Sequence, residues 1–157
     1  MGLRYRCLVL DHDDTVADST RHVHWPAYLD AMAELRPEMP VLSLQDYFRM
    51  NFSPGFMPYI EGVLRLTKAE QDREYEIWQA RAAHQVPDFF PGIGGLIRGQ
   101  LAAGGFVCVV SHSVAKNIRR DYQAHGLPEP ALVFGWEQPR ERRKPAAWPL
   151  EEIMRQL

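Results

Sequence analysis

The chain has 157 residues, of which 46% are hydrophobic and 24% charged, and its formal net charge is −2. This length suits one compact domain or a small core with an inserted lid, and the charge provides no electrostatic attraction to nucleic acid or to anionic membranes. The sequence has no apolar run that could span a bilayer, no signal peptide and only two cysteines, so we expect a cytoplasmic protein without a disulfide framework.

Three short apolar runs predict strands that are buried on both faces. The first covers Tyr5–Leu10 and stops at Asp11. The second covers Phe106–Val110 and stops at Ser111, and the third covers Ala131–Phe134. Continuous runs of this length are typical of parallel strands, whose two faces are both covered by helices.

Helical patterns separate these strands. One helix is predicted after Pro91-Gly92, and a second is predicted to begin at Ser113 as its N-cap. The long segment Val16–Pro87 has no strand signal and carries apolar stripes at helical spacing. Strand–helix alternation around such a segment predicts an α/β fold, a Rossmann-like parallel sheet with an inserted helical domain.

The residues with the clearest chemical meaning follow the first strand. Asp11 and Asp13 lie two positions apart at the carboxyl end of a predicted parallel strand, where open α/β sheets bind their ligands. Two carboxylates this close repel each other, so a cation or a shared proton is needed to stabilise the pair. Magnesium prefers oxygen ligands and phosphate, which makes Mg²⁺ the natural candidate.

The segment Asp11-His12-Asp13-Asp14-Thr15 resembles the first motif of the haloacid dehalogenase-like phosphohydrolases, which follows an apolar strand. Ser111 resembles the serine or threonine of the second motif. Lys144, followed by proline, resembles the lysine of the third motif. The resemblance implies a catalytic core formed by residues 1–15 and 88–157, with a helical cap over residues 16–87 that closes over the phosphate and governs substrate choice.

The resemblance also implies a role for each matched residue. Asp11 is the expected nucleophile, forming an aspartyl-phosphate, and Asp13 is the expected general acid and base. Ser111 and Lys144 are expected to bind the phosphoryl group. Asp11, through its carboxylate, and Asp13, through its backbone carbonyl, are expected to hold Mg²⁺. His12 occupies the variable position of the motif and is expected to face away from the site.

The sequence departs from the family pattern after Lys144. The fourth motif, one or two acidic residues at the end of a further strand, has no counterpart there, because Pro145–Leu157 is predicted to form one short helix. Either the chain is a fragment or it is a reduced protein that has lost this part of the site. The first reading is favoured, because the absent strand would leave one edge of the Tyr5–Leu10 strand unpaired. The resemblance therefore does not by itself imply that this chain is catalytically active.

Three functions fit these observations. The leading one is a magnesium-dependent phosphatase acting on a small phosphorylated metabolite. A phosphomutase of the same superfamily is a close alternative, and the third possibility is a non-catalytic binding or assembly protein that retains the fold. Nucleic acid and membranes are not expected partners, and the sequence does not specify an oligomeric state.

Overall fold

The computed structural model describes residues 5–157. The chain divides into two compact units, one formed by residues 5–18 with Pro87–Leu157 and the other by Ser19–Val86. Within the described residues there are seven α-helices: α1 (Trp25–Leu35), α2 (Leu44–Phe52), α3 (Phe56–Pro58), α4 (Lys68–His84), α5 (Ile93–Ala102), α6 (Ala115–Ala124) and α7 (Trp148–Gln156). Irregular helical turns cover Thr20–His24, Tyr59–Val63 and Arg140–Arg142.

The first unit contains a parallel sheet of three strands in residues 5–157, in the order β1-β2-β3. The strands are β1 (Cys7–Leu10), β2 (Phe106–Val110) and β3 (Leu132–Phe134). The prediction of an α/β fold with these parallel strands is confirmed, although β1 and β3 begin later than the sequence indicated. In the described part of the chain β1 pairs with β2 alone, and Val9 is 38% exposed there.

Alternating residues of β2 supply two separate layers of the core. Val107 and Val109 face a cluster that includes Ile97 of α5 and Ile118 of α6. Cys108 and its neighbour Val110 face the opposite side of the sheet, where Ile153 of α7 packs. Because successive side chains of a strand point to opposite faces, β2 can be buried on both sides only if helices cover both. Helices α5 and α6 therefore cover one face of β2, and α7 covers the other.

The second unit is helical. Its core is formed by buried aromatic and aliphatic side chains: Tyr28, Met32, Tyr47, Met50, Tyr59, Ile60, Leu64 and Leu66. Helix α4 begins with a capping box, in which Thr67 and Glu70 each bond to the other's backbone amide. Arg36 also binds Glu70, and together these bonds lower the pKa of Glu70 to about 2.

Among residues 5–157, no helix is long and apolar enough to cross a membrane.

One carboxyl group of α4 makes the stability of the chain depend on pH. Glu74 lines an apolar cavity with Tyr28, Met32 and Leu66. Burial raises the pKa of Glu74 from 4.5 to about 7. Between these pH values the folded chain holds a proton that the unfolded chain releases, so the free energy of unfolding falls as pH rises through this range.

We expect Glu74→Gln to raise the free energy of unfolding at pH 8 by about 1–3 kcal/mol, because the amide needs no proton to be neutral. At about pH 4, where the carboxyl group is mostly protonated in both states, the variant and the original chain should have similar stability. Urea unfolding at both pH values measures this. Glu76→Gln on the same helix is the control, since Glu76 is 64% exposed. If both substitutions raised the free energy of unfolding equally at pH 8, the pH dependence could not be attributed to the buried carboxyl group of Glu74.

Candidate active site

The candidate site lies at the carboxyl ends of β1 and β2. Asp11 follows β1 directly, and Ser111 follows β2. The loop after Asp11 turns tightly, because the carbonyl of His12 accepts the amides of Val16 at 2.9 Å and Ala17 at 3.0 Å. Asp14 has a φ of 55°, a left-handed conformation that aspartate adopts more easily than most residues. The turn places Asp11 and Asp13 on one short segment.

The carboxylate of Asp11 is held through one of its two oxygens. Oδ1 lies 2.8 Å from Nζ of Lys144, and the amide of His12 donates to the same oxygen at 2.8 Å. Both of these contacts are made to Oδ1. The side chain is 41% exposed. Asp11 is therefore oriented by two donors while its second oxygen can meet a ligand.

The carboxylate of Asp13 is surrounded by hydroxyl groups from the loop after β2. Ser113 donates to Oδ2 of Asp13 at 2.5 Å, and Ser111 Oγ lies 3.5 Å from the same oxygen. The amide of Ser113 donates to the Ser111 hydroxyl at 3.1 Å. Both serines are buried. The ends of β1 and β2 are thus connected through side chains that can donate and accept protons.

The backbone of Lys144 is held from the end of β2. His112 Nε2 lies 3.0 Å from the carbonyl oxygen of Lys144, and the ring of His112 packs edge-on against Trp136. Arg143 stacks over Trp136 at 4.0 Å from the ring centre. The lysine therefore reaches Asp11 from a loop that two aromatic contacts support.

The ring of His12 is buried against α6. It is 2% exposed, and its Nε2 lies 3.1 Å from Oδ2 of Asp121 on α6. Arg120 donates to the other oxygen of Asp121 at 2.9 and 2.6 Å. A polar chain therefore runs under the loop that carries both candidate catalytic acids.

The structure brings all four predicted residues together, since Asp11 contacts Lys144 and Asp13 lies beside Ser111. The prediction of Ser113 as an N-cap is wrong: Val114 caps α6 without a side-chain bond, and the hydroxyl of Ser113 binds Asp13 instead. A serine just before a helical pattern is usually a cap, so the sequence carried no signal for this contact.

The described residues provide only some of the oxygen ligands that a Mg²⁺ ion needs. In the described chain, no group of three or more His, Cys, Asp and Glu side chains is arranged to hold a metal ion. Asp11 and Asp13 nevertheless offer two oxygen donors two positions apart in the sequence: the carboxylate of Asp11 and the backbone carbonyl of Asp13. Mg²⁺ in phosphoryl-transfer sites is often held by one or two carboxylates together with waters and phosphate oxygens. One carboxylate and one carbonyl therefore fit the protein's share of such a site.

No family model matches the sequence, and no curated protein shows a significant match to it. Solved structures do match. A predicted phosphoglycolate phosphatase from Haemophilus somnus superposes with a TM-score of 0.74 at 15% identity, covering 98% of this chain and 72% of that one. CbbY from Rhodobacter sphaeroides, in complex with xylulose-1,5-bisphosphate, gives 0.67 at 20% identity over 96% and 71% of the two chains.

A third structure, a haloacid dehalogenase superfamily hydrolase of subfamily IA from Geobacter sulfurreducens, superposes with a TM-score of 0.64 at 12% identity. It covers 96% of this chain, which spans 71% of that protein. At these identities the likeness establishes the fold. The chain has the fold of the haloacid dehalogenase-like phosphatases and hydrolases, as its motifs predicted.

Proposed function

We propose that a chain with this fold and this site is a phosphomonoester hydrolase that uses Asp11 as its nucleophile, depends on Mg²⁺ and acts on a small phosphorylated metabolite. The observation that carries the proposal is the orientation of Asp11. Lys144 and the His12 amide hold Oδ1, which leaves Oδ2 for attack on phosphorus. Asp13 lies two residues away, where a general acid is needed.

In the first step of this reaction, Oδ2 of Asp11 forms a bond to phosphorus while the bond from phosphorus to the ester oxygen breaks. The carboxylic acid of Asp13 gives its proton to the leaving oxygen, so the alcohol leaves as a neutral molecule. The ammonium group of Lys144 lies 2.8 Å from Asp11 and can neutralise charge on the phosphoryl oxygens. Covalent catalysis divides one difficult displacement into two easier ones.

In the second step, water attacks the aspartyl-phosphate and Asp13, now a carboxylate, accepts a proton from it. The bond between phosphorus and Oδ2 of Asp11 breaks, inorganic phosphate leaves, and both acids return to their initial states. The hydroxyls of Ser113 and Ser111 lie within hydrogen-bonding reach of Oδ2 of Asp13. They can orient this carboxyl group while it releases a proton in the first step and accepts one in the second.

The metal part of the proposal rests on the oxygen donors of Asp11 and Asp13. The carboxylate of Asp11 and the backbone carbonyl of Asp13 would hold Mg²⁺, which when bound would supply positive charge to the phosphoryl oxygens. The substrate part rests on chemistry and on structural likeness. One neighbour is a predicted phosphoglycolate phosphatase and another was crystallised with a sugar bisphosphate, so small phosphoesters are the first compounds to test.

The test is release of inorganic phosphate from a panel of small phosphomonoesters, with Mg²⁺ and with EDTA. We expect release that requires Mg²⁺ and yields the free alcohol with phosphate. An isomerised phosphoester without net phosphate release would instead identify a mutase. Silence from the folded chain across a broad panel would contradict the proposal and favour a binding protein.

A further inference from the structure

The strongest unused feature of the molecule is the buried pair formed by His12 and Asp121. The two side chains are 2% and 4% exposed, and they come from the loop after β1 and from α6. Charged and polar side chains are rarely buried to this extent without a partner. Neither side chain is among the groups that the proposed reaction uses.

The contacts of His12 connect its ring to the geometry of the nucleophile. The amide of His12 donates to Oδ1 of Asp11, and the carbonyl of His12 accepts the amides that close the turn after Asp13. Any rotation of this backbone would therefore move both Asp11 and Asp13. The ring bond to Asp121 restrains such a rotation, because it fixes the side chain of the same residue to a helix.

Further contacts leave the ring little freedom. It stacks against Tyr122 with centroids 6.2 Å apart and meets Phe89 edge-on at 5.9 Å. Asp121 is in turn held by Arg120, through both Nε and Nη2 on Oδ1. Because a carboxylate oxygen only accepts, Nε2 of His12 carries the hydrogen of the His12–Asp121 bond. His12 Nδ1 has no hydrogen-bond partner in the described residues, so the bond to Asp121 is the one hydrogen bond of the ring among them.

We propose that His12 and Asp121 are positioning residues that hold Asp11 in the geometry for attack, a role that rests on the phosphatase function proposed above. Neither residue touches substrate. Asp121 orients the ring of His12, and the backbone of His12 orients Oδ1 of Asp11. Misplacement of a reacting group by about 1 Å can reduce a rate by about 10²-fold, so the loss of such support should appear in the chemical step.

The test compares Asp121→Asn with Tyr122→Phe. The first keeps volume but removes the charged acceptor of the ring bond. The second is the matched control on the same helix, because Tyr122 is fully buried, packs on His12 and has a hydroxyl without a partner in residues 5–157. Two readouts are needed: backbone amide NMR shifts of His12 and Val16, and single-turnover kinetics of aspartyl-phosphate formation.

We expect Asp121→Asn to shift these amides and to lower the single-turnover rate constant, measured with the enzyme in saturating excess, by about 10–100-fold. The enzyme concentration that gives half of this rate should change by no more than about twofold. Tyr122→Phe should leave all of these quantities unchanged. His12→Gln, which keeps an N–H donor, should retain more activity than His12→Leu.

A purely structural role for the pair predicts a different pattern. Asp121→Asn would then lower the melting temperature while the single-turnover rate constant in saturating enzyme excess stayed that of the original chain, and this result would overturn the inference. Unchanged loop amides would overturn it as well. If the original chain releases no phosphate, the hydrolase proposal fails, and the amide shifts alone still decide whether Asp121 holds the loop.

Discussion

Asp11→Asn is expected to lower phosphate release by about 10⁴-fold or more, because an amide cannot form the aspartyl-phosphate. The substitution keeps the shape of the side chain, and its carbonyl oxygen can still accept from Lys144 and from the His12 amide. We therefore expect the variant to fold like the original chain. Steady-state kinetics with the best substrate of the panel measure the loss, and circular dichroism establishes the fold.

The matched control for this substitution is Asp14→Asn. Asp14 lies in the same loop, and asparagine tolerates its left-handed backbone as well as aspartate does. The hydrogen bond from the backbone amide of residue 14 to the carbonyl of Ala17, 2.8 Å long, does not involve the side chain and is kept. We expect a rate within about threefold of the original. Comparable losses from Asp11→Asn and Asp14→Asn would show that the loop responds to any loss of charge, which contradicts a specific nucleophile.

Asp13→Asn is expected to have a large effect that depends on the leaving group. Proton transfer by a positioned acid contributes about 10²–10⁴-fold, so alkyl phosphates should lose this factor. The nitrophenolate of p-nitrophenyl phosphate leaves without a proton, so the first step with this substrate should be nearly unaffected. The second step still lacks its base, and the aspartyl-phosphate should accumulate.

Stopped-flow absorbance with p-nitrophenyl phosphate distinguishes these steps. For Asp13→Asn we expect a burst of about one nitrophenolate per active chain, followed by slow turnover. The bond from Ser113 can persist in this variant, because the amide oxygen still accepts. Equal losses for alkyl and nitrophenyl esters, without a burst, would mean that Asp13 binds or positions other groups and does not transfer protons.

The fold could be predicted from the sequence because its strands have a strong local signature. The apolar runs before Asp11 and Ser111 became β1 and β2, each buried or partly buried between helices. The rule that ligands bind beyond the carboxyl ends of parallel strands then places Asp11 and Ser111 at one edge of the sheet. Neighbouring strands in the sheet brought these two residues close, as expected.

The supporting residues could not be predicted, since their contacts depend on tertiary structure. His12 and Asp121 are 109 positions apart, and no periodic pattern relates a loop histidine to one carboxylate of a distant helix. Ser113 has the sequence signature of a helix cap, yet its hydroxyl binds Asp13. His112 contacts Lys144 through a backbone carbonyl, a kind of bond that leaves no trace in residue types.

The most direct test of the account is to locate the phosphoryl group itself. The Asp13→Asn variant should be mixed with p-nitrophenyl phosphate and Mg²⁺, quenched in acid, reduced with borohydride and analysed by peptide mass spectrometry. Borohydride reduces an aspartyl-phosphate to homoserine. We predict homoserine at position 11 and at no other aspartate, and we predict that EDTA in the reaction mixture prevents its formation. Phosphate release by the original chain with no modification at Asp11, or with modification of another residue, would contradict the mechanism.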